Sequence, residues 1–191
     1  MSRVPSAVLF ACNANVVRSP MAAALFRSVY GKRAYVDSVG VTSGEPDPFV
    51  AAVLAERGIA GSETHQPKTF DDLLDTNFEV IVALTREAYE RALEITRTLS
   101  CDVLYWPTDD PALTEGNREA RLDAYRRVRD DLAVRLCREW PLPGVCAPEP
   151  GMPEDAAAPL APKRTGRGLA ARKRGRDLWS RMRMGLRRLR R

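Results

Sequence analysis

The chain is 191 residues long, 45% hydrophobic and 29% charged, which fits one globular domain of ordinary size with sequence to spare. Its formal net charge of +5 is unevenly held: residues 1–162 carry 17 Lys and Arg against 24 Asp and Glu, a net −7, while residues 163–191 carry 13 against one acid, Asp177, a net +12. The basic character therefore belongs to a tail and says little about the main domain.

No apolar run approaches the ~20 residues needed to cross a bilayer. "LFAC" has the look of a lipoprotein-signal end, but the apolar stretch before Cys12 covers only Ala7 to Ala11, too short for a signal core. The four cysteines, Cys12, Cys101, Cys137 and Cys146, are scattered and no two have metal-ligand spacing. A disulfide framework is not expected in a chain with a real core. Cys101, Cys137 and Cys146 thus read as unpaired core or linker residues, and the chain as cytoplasmic.

In chain order, Ala7–Ala11 is a short apolar run suited to a buried parallel strand. Met21, Leu25 and Val29 recur at i+4 and mark one face of a first helix. Residues 34–38 are a second strand candidate. Residues 48–57 read as a helix with Pro at its start and Gly58 at its close. Residues 80–84 make a third strand, 86–99 a helix and 102–106 a fourth strand. Leu122, Tyr125, Val128, Leu132 and Leu136 form the apolar stripe of a long charged helix. Strands alternating with helices predict a parallel α/β sheet, in which ligands bind at the carboxyl ends of strands. Cys12 lies at such an end.

Seven prolines fall among the 22 positions 141–162, which read as an extended linker. The expected organisation is a domain over residues 1–140, that linker, and a basic tail over 163–191. In the tail, Leu178, Met182, Leu186 and Leu189 share one helical face with Trp179 beside them. That pattern suits an interfacial helix on an anionic membrane. Nucleic acid is the alternative partner for so many arginines, and a solvated basic tail is the plain reading.

The segment "CNANVVRS" carries the chemistry. Only a thiolate is a good nucleophile, and a loop leading into a helix N-terminus favours anions. Ser19 is an N-cap type and Pro20 suits the first helical turn. Arg18 supplies a planar, permanently charged fork for two phosphate oxygens. The loop would ring a tetrahedral oxyanion with the Cys12 sulfur beneath it.

"VLFACNANVVRSPMAAAL" resembles the phosphate-binding loop of the low-molecular-weight protein tyrosine phosphatase family. "VDSVG", "GEPDP", "GIAGSETHQPKTF" and "PTDDP" resemble later segments of that family, in the same order. The resemblance implies a three-layer α/β fold: a four-stranded parallel sheet with helices on both faces and the phosphate loop after strand 1. It implies hydrolysis of a phosphomonoester, on a protein or a small molecule, with phosphotyrosine on protein the expected substrate. Cys12 would attack phosphorus. Arg18 and the backbone amides of Asn13, Ala14, Asn15, Val16 and Val17 would hold the equatorial oxygens. Asp110 would protonate the leaving oxygen and then activate water, with Asp109 its nearest competitor. Ser19 would hydrogen-bond the thiolate, and Asn15, Ser38 and His65 would hold the loop in shape. No metal or organic cofactor is implied.

Three departures stand out. Many members have Gly at the place of Ala14, so Ala14 must find an allowed conformation or strain the loop. Many have a second cysteine at the place of Val17, whose absence exposes Cys12 to over-oxidation. The aromatic residues that follow Asp-Pro in tyrosine-specific members are replaced by "ALTEG", which leaves Tyr105 and Trp106 as substitutes for an aromatic wall. Two other readings stay open. One is an arsenate reductase resolved by an external thiol, since arsenate reductases share this fold and loop and the chain lacks cysteines after the third strand. The other is a catalytically weak phosphate-binding module.

Overall fold

The run Ala7–Cys12 becomes the central strand β1 of a four-stranded, all-parallel sheet. In this computed structural model residues 3–60, 64–74, 77–97 and 99–146 are described. The rest of the proline-rich linker and the whole basic tail, with the membrane and nucleic-acid readings attached to it, lie outside the described residues. The strand order is β2-β1-β3-β4, with β2 at Tyr35–Gly40, β3 at Val80–Ala83 and β4 at Asp102–Tyr105.

β1 is apolar throughout because both its faces are covered, and its side chains alternate between two cores. Val8, Phe10 and Cys12 face one cluster, and Leu9 and Ala11 the other. The first cluster is closed by α1 (Arg18–Tyr30), α2 (Pro48–Ala55) and α4 (Arg118–Glu139). The second is closed by Ala88 and Ala92 of α3 (Arg86–Ile95), with Phe70 and Phe78. The result is the expected three-layer α/β arrangement.

The chain runs from β1 outward to β2, then crosses back to β3 on the other side of β1. The connections after β1 and β3 therefore diverge at the carboxyl edge of the sheet, which opens a crevice between them. The loop after Cys12 and the start of α3 both border it.

Element boundaries moved for local reasons. β2 extends two residues past Ser38, because Gly40 pairs with Cys12 in the ladder. α2 stops at Ala55, before Arg57. Gly58 adopts a left-handed φ of 69° and lets the Ile59 N–H reach back to Leu54 O at 3.1 Å. α3 ends at Ile95, short of Leu99, where the Thr96 hydroxyl bonds Ala92 O at 2.7 Å. On α4, Leu122, Tyr125, Leu132 and Leu136 are buried as the stripe requires. Arg129 is buried among them, and it is held by Val53 O at 2.6 Å, by Glu56 and by Asp130. No apolar pattern signals such a residue; its burial depends on carboxylates brought in by α2 and by its own neighbour.

The far end of the first core is aromatic. Phe26 packs on Tyr30 with ring centres 4.4 Å apart and meets Trp140 edge-on at 5.6 Å. The Tyr30 hydroxyl lies 3.0 Å from Leu136 O and 2.7 Å from Trp140 O. Past Trp140 the chain turns back, with the Cys146 N–H donating to Leu142 O at 3.0 Å. That reversal brings Cys146 to Cys137, Cα atoms 5.3 Å apart, and the two form a disulfide. Two thiols expected to be unpaired are therefore joined, through a turn that composition alone does not reveal. Cys12 and Cys101 are unpaired.

Burial pushes the Tyr30 phenol from its usual 10.0 up to about 12, and burial also raises that of Tyr125. A folded-state value above the unfolded one means stability is complete below pH 10 and is lost as pH climbs from 10 through 12. Urea midpoints measured across pH 8 to 12 are expected to be flat at first and then fall. Tyr30→Phe, which cannot ionise, is expected to shallow that fall.

Candidate active site

Everything that shapes the loop after β1 converges on Asn15. Among the described residues it is the one non-glycine residue with positive φ, at 54°, and it is fully buried. Asn tolerates this region better than most residues, and side-chain bonding favours it further. Asn15 Nδ2 donates to Ser19 Oγ at 2.9 Å and to Ser38 Oγ at 3.0 Å. Its Oδ1 accepts from the Lys68 N–H at 3.0 Å, and its backbone carbonyl meets His65 Nε2 at 2.9 Å. The conformational constraint expected at Ala14 thus falls on its neighbour. Ser38 and His65, both named in the sequence, are thus in contact with Asn15. Lys68, which contributes a backbone N–H, carried no signal in the sequence.

Gly40 makes this close approach feasible. A Cβ built there would lie 2.2 Å from Thr42 O, 2.7 Å from Asn15 N and 2.8 Å from Ala14 C, all backbone atoms. The loop carbonyls are occupied on the same side. Asn13 O accepts from Thr42 N–H at 2.8 Å, and Ala14 O from Gly44 N–H at 3.1 Å. By contrast, among the described residues no amide N–H from Asn13 to Arg18 donates to a protein acceptor. The loop therefore turns its carbonyls outward and keeps its N–H groups for something else, which is the arrangement of an anion nest.

Cys12 sits beneath that nest, 2% exposed, with Sγ 3.1 Å from Ser19 Oγ. Ser19 is not the helix cap. α1 begins at Arg18, and its cap position is Val17, which offers no side-chain bond. Its hydroxyl instead faces three partners: Asn15 Nδ2, Cys12 Sγ and Val39 O, the last at 3.1 Å. Asn15 supplies a donor, so the single Ser19 proton goes either to Val39 O or to sulfur. Rotating it toward sulfur stabilises a thiolate.

Arg18 is turned to the Asp-Pro loop. Its Nη2 donates to Asp110 Oδ2 at 2.9 Å and its Nη1 to Thr108 O at 3.1 Å. Asp110 Oδ1 also accepts from the Ala112 N–H at 3.1 Å and so caps the short turn Pro111–Leu113. The turn role and the site role coincide in one carboxylate. Asp109 lies on the same cleft but is exposed, with no such bond.

The open cleft beside the nest measures about 370 Å³, and Asn13, Arg18, Thr85, Tyr105, Asp110 and Leu113 are among its walls. Trp106 is not available as a wall, because its ring packs in the core 5.8 Å from Trp140. Tyr105 is. Leu113, 81% exposed on the rim, and Thr85, the cap of α3, were not singled out in the sequence. Val16 borders a second, shallower depression with Phe49 and Arg121, and Val17 is buried. The Asn13 side-chain carbonyl is buried and has no partner. An unmet buried acceptor costs about 1–3 kcal/mol. Among the described residues, no three His, Cys, Asp or Glu side chains are grouped to hold a metal, and no helix is long and apolar enough to cross a membrane.

Residues 7–136 match the family described as low molecular weight phosphotyrosine protein phosphatase. An arsenate reductase of Bacillus licheniformis is 28% identical over 131 residues, covering 69% of this chain and 92% of that protein. The Archaeoglobus fulgidus arsenate reductase structure superposes with a TM-score of 0.53 at 29% identity, covering 69% of this chain and 96% of that one. The Erwinia amylovora tyrosine phosphatase AmsI shares the fold, with a TM-score of 0.56 at 17% identity, over 72% of this chain and 91% of that one.

Gly40→Ala is expected to destabilise the protein by about 1–3 kcal/mol, as overpacking against backbone does. It should also weaken inorganic phosphate binding in calorimetry, because the atoms it displaces include Ala14 C and Asn15 N of the loop. An alanine variant with unchanged stability and phosphate affinity would remove Gly40 from this account.

Proposed function

The chain belongs to the low molecular weight phosphotyrosine protein phosphatase family, and on that footing we propose that it hydrolyses phosphomonoesters through a cysteinyl-phosphate on Cys12. The observation that carries this reading is the Cys12 thiol set under unengaged N–H groups, with an arginine–carboxylate pair at their edge. In the first step the Cys12 thiolate attacks phosphorus as the bond to the leaving oxygen breaks, and protonated Asp110 delivers its proton to that oxygen. In the second step water attacks the phosphorus, the P–S bond breaks, and the Asp110 carboxylate takes the water's proton. Arg18 and the N–H groups of residues 13–18 support the equatorial charge throughout.

The resting Arg18–Asp110 pair gives the cycle a starting point. A phosphate dianion offers Arg18 two oxygens in place of one carboxylate oxygen and a carbonyl, so substrate entry exchanges the partners of the guanidinium. Asp110, no longer paired with the guanidinium, then takes up a proton from solvent and faces the leaving group, to which it delivers that proton. Phosphotyrosine on protein is the substrate class this reading favours. Tyr105 and Leu113 supply an apolar wall for a ring where the aromatic pair after Asp-Pro is missing.

Arsenate reduction is the second reading, because curated relatives carry that name. A self-contained relay would need further thiols near Cys12. Cys101 precedes β4, at the edge of the parallel sheet opposite Cys12, and burial pushes its thiol up to about 11. Cys137 and Cys146 are joined to each other beyond the far end of α1, about 20 Å from its start at 1.5 Å per residue. Arsenate reduction by this chain would therefore draw on an external thiol.

With p-nitrophenyl phosphate, Cys12→Ser is expected to abolish turnover; turnover that survives it would overturn the mechanism. Asp110→Asn should lower turnover with phosphotyrosine peptide about 10²–10⁴-fold, as loss of a general acid does. The same change should tighten inhibition by inorganic phosphate, because a neutral amide competes less well for Arg18. Arsenate reduction with an added thiol, and no phosphoester turnover, would favour the second reading.

A further inference from the structure

We propose that Asn13 holds the attacking water in the second half of the reaction. The inference rests on the phosphatase reading above and adds a residue to it. Asn13 follows the nucleophile directly and shares the cleft with Arg18 and Asp110. Its backbone carbonyl is committed to Thr42. Its side-chain amide is committed to nothing: Oδ1 is buried without a partner, and among the described residues Nδ2 makes no bond to protein. A half-turn of the amide therefore breaks no hydrogen bond, and either of its ends can be presented to the cleft.

The two half-reactions place different groups at that position. In the first, the leaving oxygen of an ester is aprotic until Asp110 protonates it, so it has nothing to give an amide carbonyl. In the second, water stands in the same place and brings two O–H bonds. One proton passes to the Asp110 carboxylate as the oxygen bonds phosphorus and the P–S bond breaks, with the electron pair returning to Cys12. The other O–H stays on the oxygen and ends in the product phosphate. A carbonyl that accepts this second O–H leaves the reacting lone pair aimed at phosphorus. Turned to the cleft, the Asn13 carbonyl supplies that need, and Asp110 cannot, because it takes the first proton.

Methanol separates this role from a structural one. It attacks the cysteinyl-phosphate in place of water but carries one O–H, which goes to Asp110, so Asn13 has nothing to accept. The experiment is p-nitrophenyl phosphate turnover by the full chain with and without methanol, for wild type, Asn13→Leu and Asn13→Ala. Each variant is expected to lose about tenfold in kcat, the worth of one hydrogen bond made in that step, with kcat/KM held within about twofold. The ratio of methyl phosphate to inorganic phosphate should rise about tenfold, since hydrolysis slows and methanolysis does not. A burst of nitrophenol close to one per enzyme would show that each variant is folded and reaches the intermediate. An unchanged product ratio, or equal losses in kcat and kcat/KM, would overturn the proposal. Absence of turnover in the wild type would instead remove the phosphatase reading on which it stands.

Discussion

One buried, left-handed asparagine organises this protein's candidate site. Asn15 holds a conformation that a side chain other than Asn or Asp rarely accepts, and three amide bonds together with one carbonyl bond keep it there. At roughly 1 kcal/mol each, such bonds outweigh the local backbone penalty. Reversing the chain at Asn15 is what turns the carbonyls of residues 13–15 outward and leaves the N–H groups inward. Remove that reversal and the same eight residues are an ordinary strand-to-helix connection.

The partners of Asn15 come from separate parts of the chain, so the loop is only as well formed as the fold around it. Ser38 arrives on β2, Lys68 and His65 on the long connection after α2, and Ser19 on the first turn of α1. Gly40 lets β2 press against the loop at distances that no Cβ would allow. The sheet order supplies the remaining condition. With β1 between β2 and β3, the connections on its two sides diverge and the cleft opens where Cys12 ends the strand.

Charge in the site is arranged as exchangeable pairs. Arg18 is held by a carboxylate and a carbonyl, and Ser19 has one proton for two acceptors. Each arrangement is satisfied at rest and can be satisfied differently when an oxyanion is present. That is a cheaper design than a buried unpaired charge, whose desolvation penalty runs to several kcal/mol. Asn13 Oδ1 is the exception, since it is buried without a protein partner.

Sequence alone determined the architecture and singled out Cys12 as the candidate nucleophile. Short-range physics suffices there: an apolar run reads as a buried strand, i+4 spacing as a helix face, and an eight-residue motif places Cys12 and Arg18 without long-range information. The resemblance of short segments to the family put forward Asn15, Ser38, His65 and Asp110 as expectations. What local patterns could not carry were relations between distant residues. The tertiary structure decided that Ser19 meets Cys12 Sγ and Val39 O rather than capping the helix, because Asn15 and Val39 reach it from elsewhere. It decided that Trp106 belongs to the core, because Trp140 waits there, and that Cys137 meets Cys146, because the chain reverses after Trp140. It also decided that the loop's constraint rests on Asn15 and Gly40 rather than Ala14. Each of these depends on which backbone atoms come within a few ångströms across the fold, and no local pattern encodes that distance.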